Sequence, residues 1–266
     1  MAKTFDINRF MQLSKWSVYT YKKEYITTVT MATVIFFIIL FMRFNLMGLN
    51  DVIMDGMETF SHTAVGLLMF IFSISGCYLL NNMKTKQQRL MFKLLPASDA
   101  EKFLARYLYV TVFWIVGCIV AYCIADVLRL SLSLITGHGM QTTTIPYFFT
   151  ALTNTVTFNN VNDTADAIFS VEMLMFTHSL YLLGGTLFRR RQFVLTSMTM
   201  ILGTILLAWV ASWFVGSYSF NISTESLKGF VYFIMCLLPV LTAAAYWLSY
   251  RIFKRMQVVN NKWINL

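Results

Sequence analysis

Charged residues are scarce in this chain, and their scarcity excludes an ordinary soluble domain. Only 12% of its 266 residues are Asp, Glu, Lys or Arg, whereas 58% are hydrophobic. Soluble domains carry about 25% charged residues. Apolar runs of about 20 residues, the length of a membrane-crossing helix, recur along the sequence. We therefore expect an all-α polytopic membrane protein with one transmembrane domain over residues 1–266 and no separate soluble domain.

Motifs for catalysis and for cofactor binding are also missing. The sequence contains no GxxxxGK(S/T) phosphate loop, no histidine–glutamate pair with metalloprotease spacing and no GxSxG nucleophile elbow. Its three histidines are far apart, and its four cysteines lack the spacing of zinc or redox sites. We therefore predict that the chain is not an enzyme and holds no catalytic residue, metal or cofactor of its own.

Basic residues are present in excess, and most of them are concentrated in four segments. The formal net charge is +9, and eighteen of the 21 Lys and Arg residues fall in the N-terminus, residues 83–106, the turn after Phe188 and the C-terminal tail. Because Lys and Arg mark cytoplasmic loops, six spans with both termini in the cytoplasm place all four segments on one side. This topology explains the positive charge more simply than nucleic-acid binding, and we expect no nucleic-acid partner.

The apolar runs predict the positions of the six spans. They lie at about residues 26–44, 61–80, 107–126, 167–188, 193–215 and 230–250. Ahead of the first span, residues 5–25 combine an apolar helical face with basic side chains and several Trp and Tyr residues. That pattern predicts an N-terminal amphipathic helix in the inner headgroup layer. The outer loop 137–165 is predicted to hold a short helix near Pro146 to Thr150.

Four ionisable residues within the spans or at their ends are candidates for a function in the transport pathway or in gating. Asp126 and Arg129 lie three residues apart near the outer interface and are predicted to pair on one helix face. In their simplest role, the two residues neutralise each other at the outer boundary of the membrane. The alternative is a role in gating or substrate binding. Glu172 could face a cavity or approach a basic group such as Arg43 or Arg129. His178 could bind substrate or shuttle protons, or it could hydrogen-bond a neighbouring Ser or Thr.

Met83–Arg106 is the one long polar, basic segment between otherwise apolar blocks. Within it, Pro96 disfavours a helical conformation at Leu95. Ser98 and Glu101 form an S-x-x-E capping box, which predicts that a new helix starts at Ser98 and continues into the third span. We interpret the segment as a cytoplasmic loop on which another protein acts.

This segment resembles the cytoplasmic loop between the second and third spans of type-2 ABC exporter permeases. Many of these carry a basic residue, then Leu-Pro-x-Ser or Leu-Pro-x-Thr, then an acidic residue and a helix. Leu95-Pro96-Ala97-Ser98 and Glu101 match this pattern. The N-terminal interfacial helix, six spans and cytoplasmic termini resemble the same family. The loop between the fifth and sixth spans differs, because it is short where family members often have a re-entrant segment.

The resemblance implies that the loop and the N-terminal helix dock on a separate ATPase subunit, which binds the ATP. It implies two permease chains, identical or different, with the cargo path between them and lined by the second and fifth spans. A ridge of mostly small residues on the fifth span is compatible with that path. The residues to which the resemblance assigns ATPase coupling are Leu94, Leu95, Pro96, Ser98, Glu101, Lys102 and Phe103.

The leading functional hypothesis is therefore the permease subunit of an ATP-driven exporter in the cell membrane, which is the inner membrane in a Gram-negative bacterium. The alternative is a non-transporting multi-pass protein such as a sensor, scaffold or immunity factor, or else a secondary carrier or channel. The few mid-membrane charges and the absence of an obvious internal repeat disfavour a carrier. The aromatic and Met-rich spans are expected to contact membrane lipid, and the sequence does not identify the cargo.

Overall fold

The computed structural model of the chain is built from α-helices. It describes residues 5–42, 53–83, 85–136, 142–157, 164–189, 191–218 and 224–256, and these residues contain no β-strand. The helices are α1 (Ile7–Phe41), α2 (Ile53–Ser75), α3 (Lys86–Leu94), α4 (Asp99–Leu108), α5 (Trp114–Ile135), α6 (Ile145–Thr157), α7 (Thr164–Leu187), α8 (Gln192–Tyr218) and α9 (Thr224–Arg255). Short 3-10 turns at Gly76–Tyr78 and Asn81–Met83 follow α2, and a π-helical turn at Tyr109–Phe113 joins α4 to α5.

Six helical stretches in the described residues are long and apolar enough to cross a membrane. They are Ile7–Phe41, Glu58–Tyr78, Asp99–Ile135, Ile168–Leu187, Gln192–Trp213 and Tyr232–Arg255. Each overlaps one of the six stretches that the sequence predicted. The third continues past the predicted end at Asp126, because residues 127–135 contain neither glycine nor proline. Helix α6 lies where a short helix was expected near Pro146.

Helix α1 is a single helix of 35 residues, although an interfacial helix at 5–25 and a separate span at 26–44 were expected. Asp6 caps its first turn by accepting a hydrogen bond from the Asn8 N–H at 2.8 Å. No glycine or proline interrupts the helix, so the expected boundary near residue 26 is not a helix end. At about 1.5 Å per residue, α1 is ~52 Å long and exceeds the ~30 Å hydrocarbon core of a bilayer.

Contacts divide the chain into two compact units. One, the α1/α5 unit, comprises residues 6–72 and 105–164 and contains α1, most of α2, α5 and α6. The other, the α7–α9 unit, includes residues 73–104 and 165–266 and contains α3, the first part of α4, α7, α8 and α9. The residues predicted to couple to an ATPase therefore belong to the α7–α9 unit, whereas Asp126 and Arg129 belong to the α1/α5 unit.

The core of the α1/α5 unit is centred on the fully buried Tyr122 of α5. Its ring stacks on Phe148 of α6 with the ring centroids 4.3 Å apart, and Phe36 of α1 meets it edge-on at 5.6 Å. Phe60 of α2 lies parallel to it at 6.4 Å. Aromatic contacts with this geometry stabilise beyond their area burial, so one side chain joins all four helices of the unit.

A buried arginine fixes the end of α4 and the π-helical turn after it against α1 in the same unit. The guanidinium carbon of Arg106 lies 4.7 Å from the ring centroid of Tyr21 and 4.9 Å from that of Tyr109. The Tyr109 hydroxyl donates to the Tyr21 carbonyl at 3.2 Å. These cation–π contacts hold the charge of Arg106 where water is excluded.

Close helix crossings determine the packing of the α7–α9 unit. A Cβ atom at Gly76 would lie 2.8 Å from the Leu182 nitrogen, and one at Gly185 would lie 2.7 Å from the Cys77 Cα. Only glycine fits at such separations, and glycines of this kind let backbones approach closely. The turn after α2 and the C-terminal half of α7 are therefore in backbone-to-backbone contact.

Candidate functional site

Two short capped helices, α3 and α4, form the segment that was expected to couple to a partner. Thr85 Oγ1 accepts from the Gln88 N–H at 3.2 Å, and the Gln88 side chain accepts in return from the Thr85 N–H. Ser98 and Glu101 make the same exchange, at 3.3 Å to Ser98 Oγ and 2.8 Å to a Glu101 carboxylate oxygen. The capping box predicted at Ser98 is confirmed. Both helix starts are thus fixed locally, which gives the pair a defined shape.

The turn between these helices has the extended conformation that proline requires. Leu95 has φ −55° and ψ 136°, and Pro96 follows it. The Ala97 N–H donates to the Leu95 carbonyl at 2.8 Å and closes a tight turn. The prediction that Pro96 ends helical structure at Leu95 is confirmed, since the residue before a proline avoids the helical region.

Lysine side chains tie the helix pair to itself and to the end of α9. Lys102 Nζ donates to the Lys93 carbonyl at 2.8 Å, and Lys93 Nζ donates to the Met256 carbonyl at 2.6 Å. Burial lowers the pKa of Lys93, an effect that nearby Asp99 opposes. The two bonds satisfy carbonyls at the C-terminal ends of α3 and α9, where cationic side chains are favoured.

An aromatic cluster anchors the same pair on α9. The Phe103 ring lies 5.5 Å from the rings of both Tyr250 and Phe253, and Phe92 of α3 lies 6.5 Å from Phe253. Phe92 and Phe103 are buried. Movement of the helix pair would therefore be passed to α9 through packed side chains rather than through a flexible linker.

The predicted coupling residues divide into an exposed group and a buried group. Leu94 is 77% exposed and Pro96 is exposed, while Leu95 is partly buried. The other four are buried and make the caps, hydrogen bonds and ring contacts described above; they are Ser98, Glu101, Lys102 and Phe103. In this chain, the exposed residues are the ones that a partner can reach, and the buried ones hold them in place.

Sequence reasoning missed two parts of this site. No helix was predicted over residues 86–94, where the structure has α3. The outward-facing Leu90 and Met91, which are 40% and 65% exposed, were not singled out either. The T-x-x-Q capping box of Thr85 and Gln88 was the signal that could have shown the start of α3. With Leu94, these residues form an exposed apolar face, which we call the α3 face.

The predicted pair of Asp126 and Arg129 is formed and completely buried. Arg129 donates to one oxygen of Asp126 at 3.0–3.1 Å. The other oxygen accepts from the Thr143 hydroxyl at 2.6 Å and from the Thr144 N–H at 2.9 Å. Arg129 also donates to the Thr142 carbonyl at 2.8 Å. The pair therefore holds the segment that leads into α6, and each charge is offset by hydrogen bonds.

Glu172 and His178 of α7 lie in different surroundings. Glu172 is partly buried, and its Oε2 has no hydrogen-bond partner among the described residues. Of the two basic groups named for it, Arg129 belongs to the α1/α5 unit, and Arg43 lies outside the described residues. His178 is fully buried, with its ring centroid 6.1 Å from that of Tyr246. Their proposed part in a pathway or gate stays a prediction.

These observations define the class of the chain: it is an α-helical protein with six candidate membrane-spanning helices in the part that the structure describes, as in multi-pass membrane proteins. Comparison with family models, with curated proteins and with solved structures gave no match.

Proposed function

We propose that this chain is the membrane-spanning permease subunit of an ATP-driven ABC exporter, and that it couples to a separate ATPase through Met83–Arg106. The observation that carries the proposal is the α3 face: Leu90, Met91 and Leu94 are exposed on a helix that is polar at its other exposed positions. Exposed apolar patches rimmed by polar residues mark sites where a protein contacts another protein or a membrane.

The construction of the helix pair supports this function mechanically. Capping boxes fix both helices, and Lys93 and Phe103 tie the pair to the end of α9. The second helix continues through the turn at Tyr109–Phe113 into α5. A push on Leu94 would therefore be transmitted to two candidate spans, α5 and α9. The given sequence has no phosphate loop, so the proposal assigns ATP hydrolysis to a partner subunit.

The finer features of the proposal follow the distribution of charge and of exposed apolar surface. Both termini and Met83–Arg106 lie in the cytoplasm, because these segments are rich in Lys and Arg. The N-terminal part of α1 lies at the inner interface, where its exposed Trp16 and Tyr19 are favoured. Residues 201–209 of α8 are all exposed in the single chain, and we assign this surface to a second permease chain and to lipid.

The experiment asks whether an ATP-binding-cassette subunit co-purifies with the full chain from its own cells. Leu94→Glu and Met91→Glu place a charge on the α3 face and are expected to reduce ATPase recovery at least about tenfold, because a buried unpaired charge is strongly unfavourable. Gln87→Glu adds the same charge to an exposed polar position of α3 and is the matched control, expected to retain binding.

Two outcomes would oppose the proposal. Equal ATPase recovery with Leu94→Glu and Gln87→Glu would remove the α3 face as the docking surface. A phenotype of the chain that persists after deletion of the ATPase would favour the non-transporting alternative, and transport that follows an ion gradient without ATP would favour a carrier.

A further inference from the structure

A cavity of about 450 Å³ opens at the turn between α7 and α8, in the α7–α9 unit. Its polar lining comes from Tyr78, Asn81, Arg189 and Arg191, and its apolar wall includes Phe193 of α8. Cavities of several hundred Å³ are typical of sites for small ligands. None of the functions proposed above uses this cavity.

The cavity carries positive charge that no carboxylate in the described residues neutralises. Among the residues that the structure describes, no ion pair involves Arg89, Arg189 or Arg191. Arg89 of α3 is 2% exposed, and its Nε has no hydrogen-bond partner in the described residues. Burial, and then the charge of Arg189 nearby, lower the pKa of Arg89. Arg89 is not among the residues that line the cavity, but its unpaired charge adds to that of Arg189 nearby, and together these charges favour the arrival of an anion.

The start of α8 adds further donors to the same wall. The Arg191 carbonyl accepts the helix hydrogen bond from the Leu195 N–H at 3.0 Å, so Arg191 stands where a capping residue would. An arginine side chain carries donors only and cannot cap the first amides of the helix. The Gln192 side chain donates instead to the Gly185 carbonyl at 3.0 Å. A helix start of this kind, beside two arginines, is suited to an anion.

The turn that precedes α8 has an unusual backbone conformation at Arg191. Arg191 has φ 50°, a left-handed conformation that glycine and asparagine adopt more readily than arginine. The chain nevertheless has arginine at this position. Its side chain lines the cavity together with Arg189 rather than serving the turn itself.

We propose that this cavity binds a phosphate group, with Arg189 and Arg191 as its charged ligands and the start of α8 as an additional donor surface. Arginine matches phosphate oxygens with paired donors, and basic pockets at the cytoplasmic ends of spans suit anionic headgroups. Phe193 and Val194 give the cavity an apolar side that fits the glycerol and first carbons of a phospholipid. The phosphate can come from such a lipid or from a free phosphate compound.

The test measures binding to the full chain, purified in neutral detergent, by native mass spectrometry. Phosphatidylglycerol is titrated in one arm, and glycerol 3-phosphate and inorganic phosphate in two others. Arg189→Gln/Arg191→Gln is expected to weaken binding at least about tenfold, since charge-assisted hydrogen bonds to phosphate are lost. Lys254→Gln/Arg255→Gln removes two exposed charges from the end of α9 and is expected to leave binding within about twofold.

A second pair of variants keeps the test valid if the arginine variants fold poorly. Val194→Glu places a carboxylate on the cavity wall, where it competes for both arginines and abolishes phosphate binding. Val194→Gln has the same size without the charge and retains binding. Equal binding by these two variants, or by the arginine and α9 variants, would overturn the proposal.

The titrations also separate the two sources of phosphate. Binding of phosphatidylglycerol without the small phosphates identifies a lipid site, whereas binding of glycerol 3-phosphate or inorganic phosphate identifies a soluble ligand. Failure of all three overturns the proposal. The measurement needs no ATPase, so its failure would leave the coupling function untouched.

Discussion

Lys102 Nζ donates a hydrogen bond to the Lys93 carbonyl at 2.8 Å, although both residues carry the same charge. The bond crosses the turn between α3 and α4 and keeps the two helices in a fixed relation. Because Lys102 is 2% exposed, its charge is directed to backbone oxygen rather than to water or to a partner.

Replacing Lys102 with Met should therefore loosen the helix pair without changing its exposed surface. A hydrogen bond from a charged donor contributes ~1.5–3 kcal/mol, so residues 86–102 should exchange their amide hydrogens faster. Hydrogen–deuterium exchange of the purified chain measures this change. Lys86→Met, at an exposed position of α3, is the control and should exchange like the wild type. Identical exchange in both variants would show that the bond does not hold the pair.

Glu101 should tolerate glutamine but not alanine. Its carboxylate accepts from the Ser98 N–H at 2.8 Å, and glutamine can make the same reciprocal cap. Glu101→Ala is expected to lose ~1 kcal/mol of stability, as for other caps. Thermal unfolding compares the variants, and ATPase co-purification is measured on the same samples. Loss of ATPase binding in a stable Glu101→Gln protein would show that the charge contacts the partner directly.

Removing one member of the Asp126–Arg129 pair should destabilise the protein strongly. Replacing both members with neutral residues should cost less stability. Arg129→Met leaves the fully buried carboxylate unbalanced, at a cost of ~3–5 kcal/mol. Asp126→Asn/Arg129→Gln should lose less, because no net charge stays buried. Unfolding in mixed micelles with increasing SDS measures both, with Ser131→Ala on the exposed side of α5 as the control. A stable double variant that has lost transport would favour the gating role.

Local sequence patterns predicted the parts of the site that depend on residues three or four positions apart. The S-x-x-E box of Ser98 and the Asp126–Arg129 pair are of this kind, since such spacings place side chains on one helix face. The six apolar stretches were predictable for a similar reason, because span length follows from bilayer thickness. No helix end separates the predicted interfacial helix at 5–25 from the predicted span at 26–44, since amphipathicity there changes without any residue that ends a helix.

The remaining features depend on contacts between residues that are distant in sequence. Lys93 meets Met256 across 163 positions, and no local pattern at Lys93 indicates that carbonyl. The burial of Phe103 has the same cause, because Phe253 of α9 packs against its ring. The Thr144 N–H that donates to Asp126 comes from a residue 18 positions away in the sequence. Tertiary packing decides these positions, and composition does not reveal it.

Alanine at Gly184 and alanine at Gly185 should both clash with a neighbour, but only the clash at Gly184 should be relieved by a second substitution. A Cβ at Gly184 would lie 2.8 Å from the Cβ of Thr196, whereas one at Gly185 would lie 2.7 Å from the Cys77 backbone. Both Gly→Ala changes should destabilise by ~1–3 kcal/mol through overpacking. Thr196→Ala should restore part of the stability of Gly184→Ala, because it removes two of the clashing atoms. It should not help Gly185→Ala, whose neighbour is backbone.

Gly203 provides the matched control for this series, because no atom lies within 4 Å of a Cβ placed there. Gly203→Ala should be neutral or stabilising by up to ~1 kcal/mol, since alanine has the higher helix propensity. Unfolding in mixed micelles is again the measurement. If all three single alanine variants unfold alike, the close crossings do not hold α7 against the turn after α2 and against α8. If only Gly184→Ala and Gly185→Ala are weakened, backbone proximity fixes the geometry of this unit, and helix propensity does not.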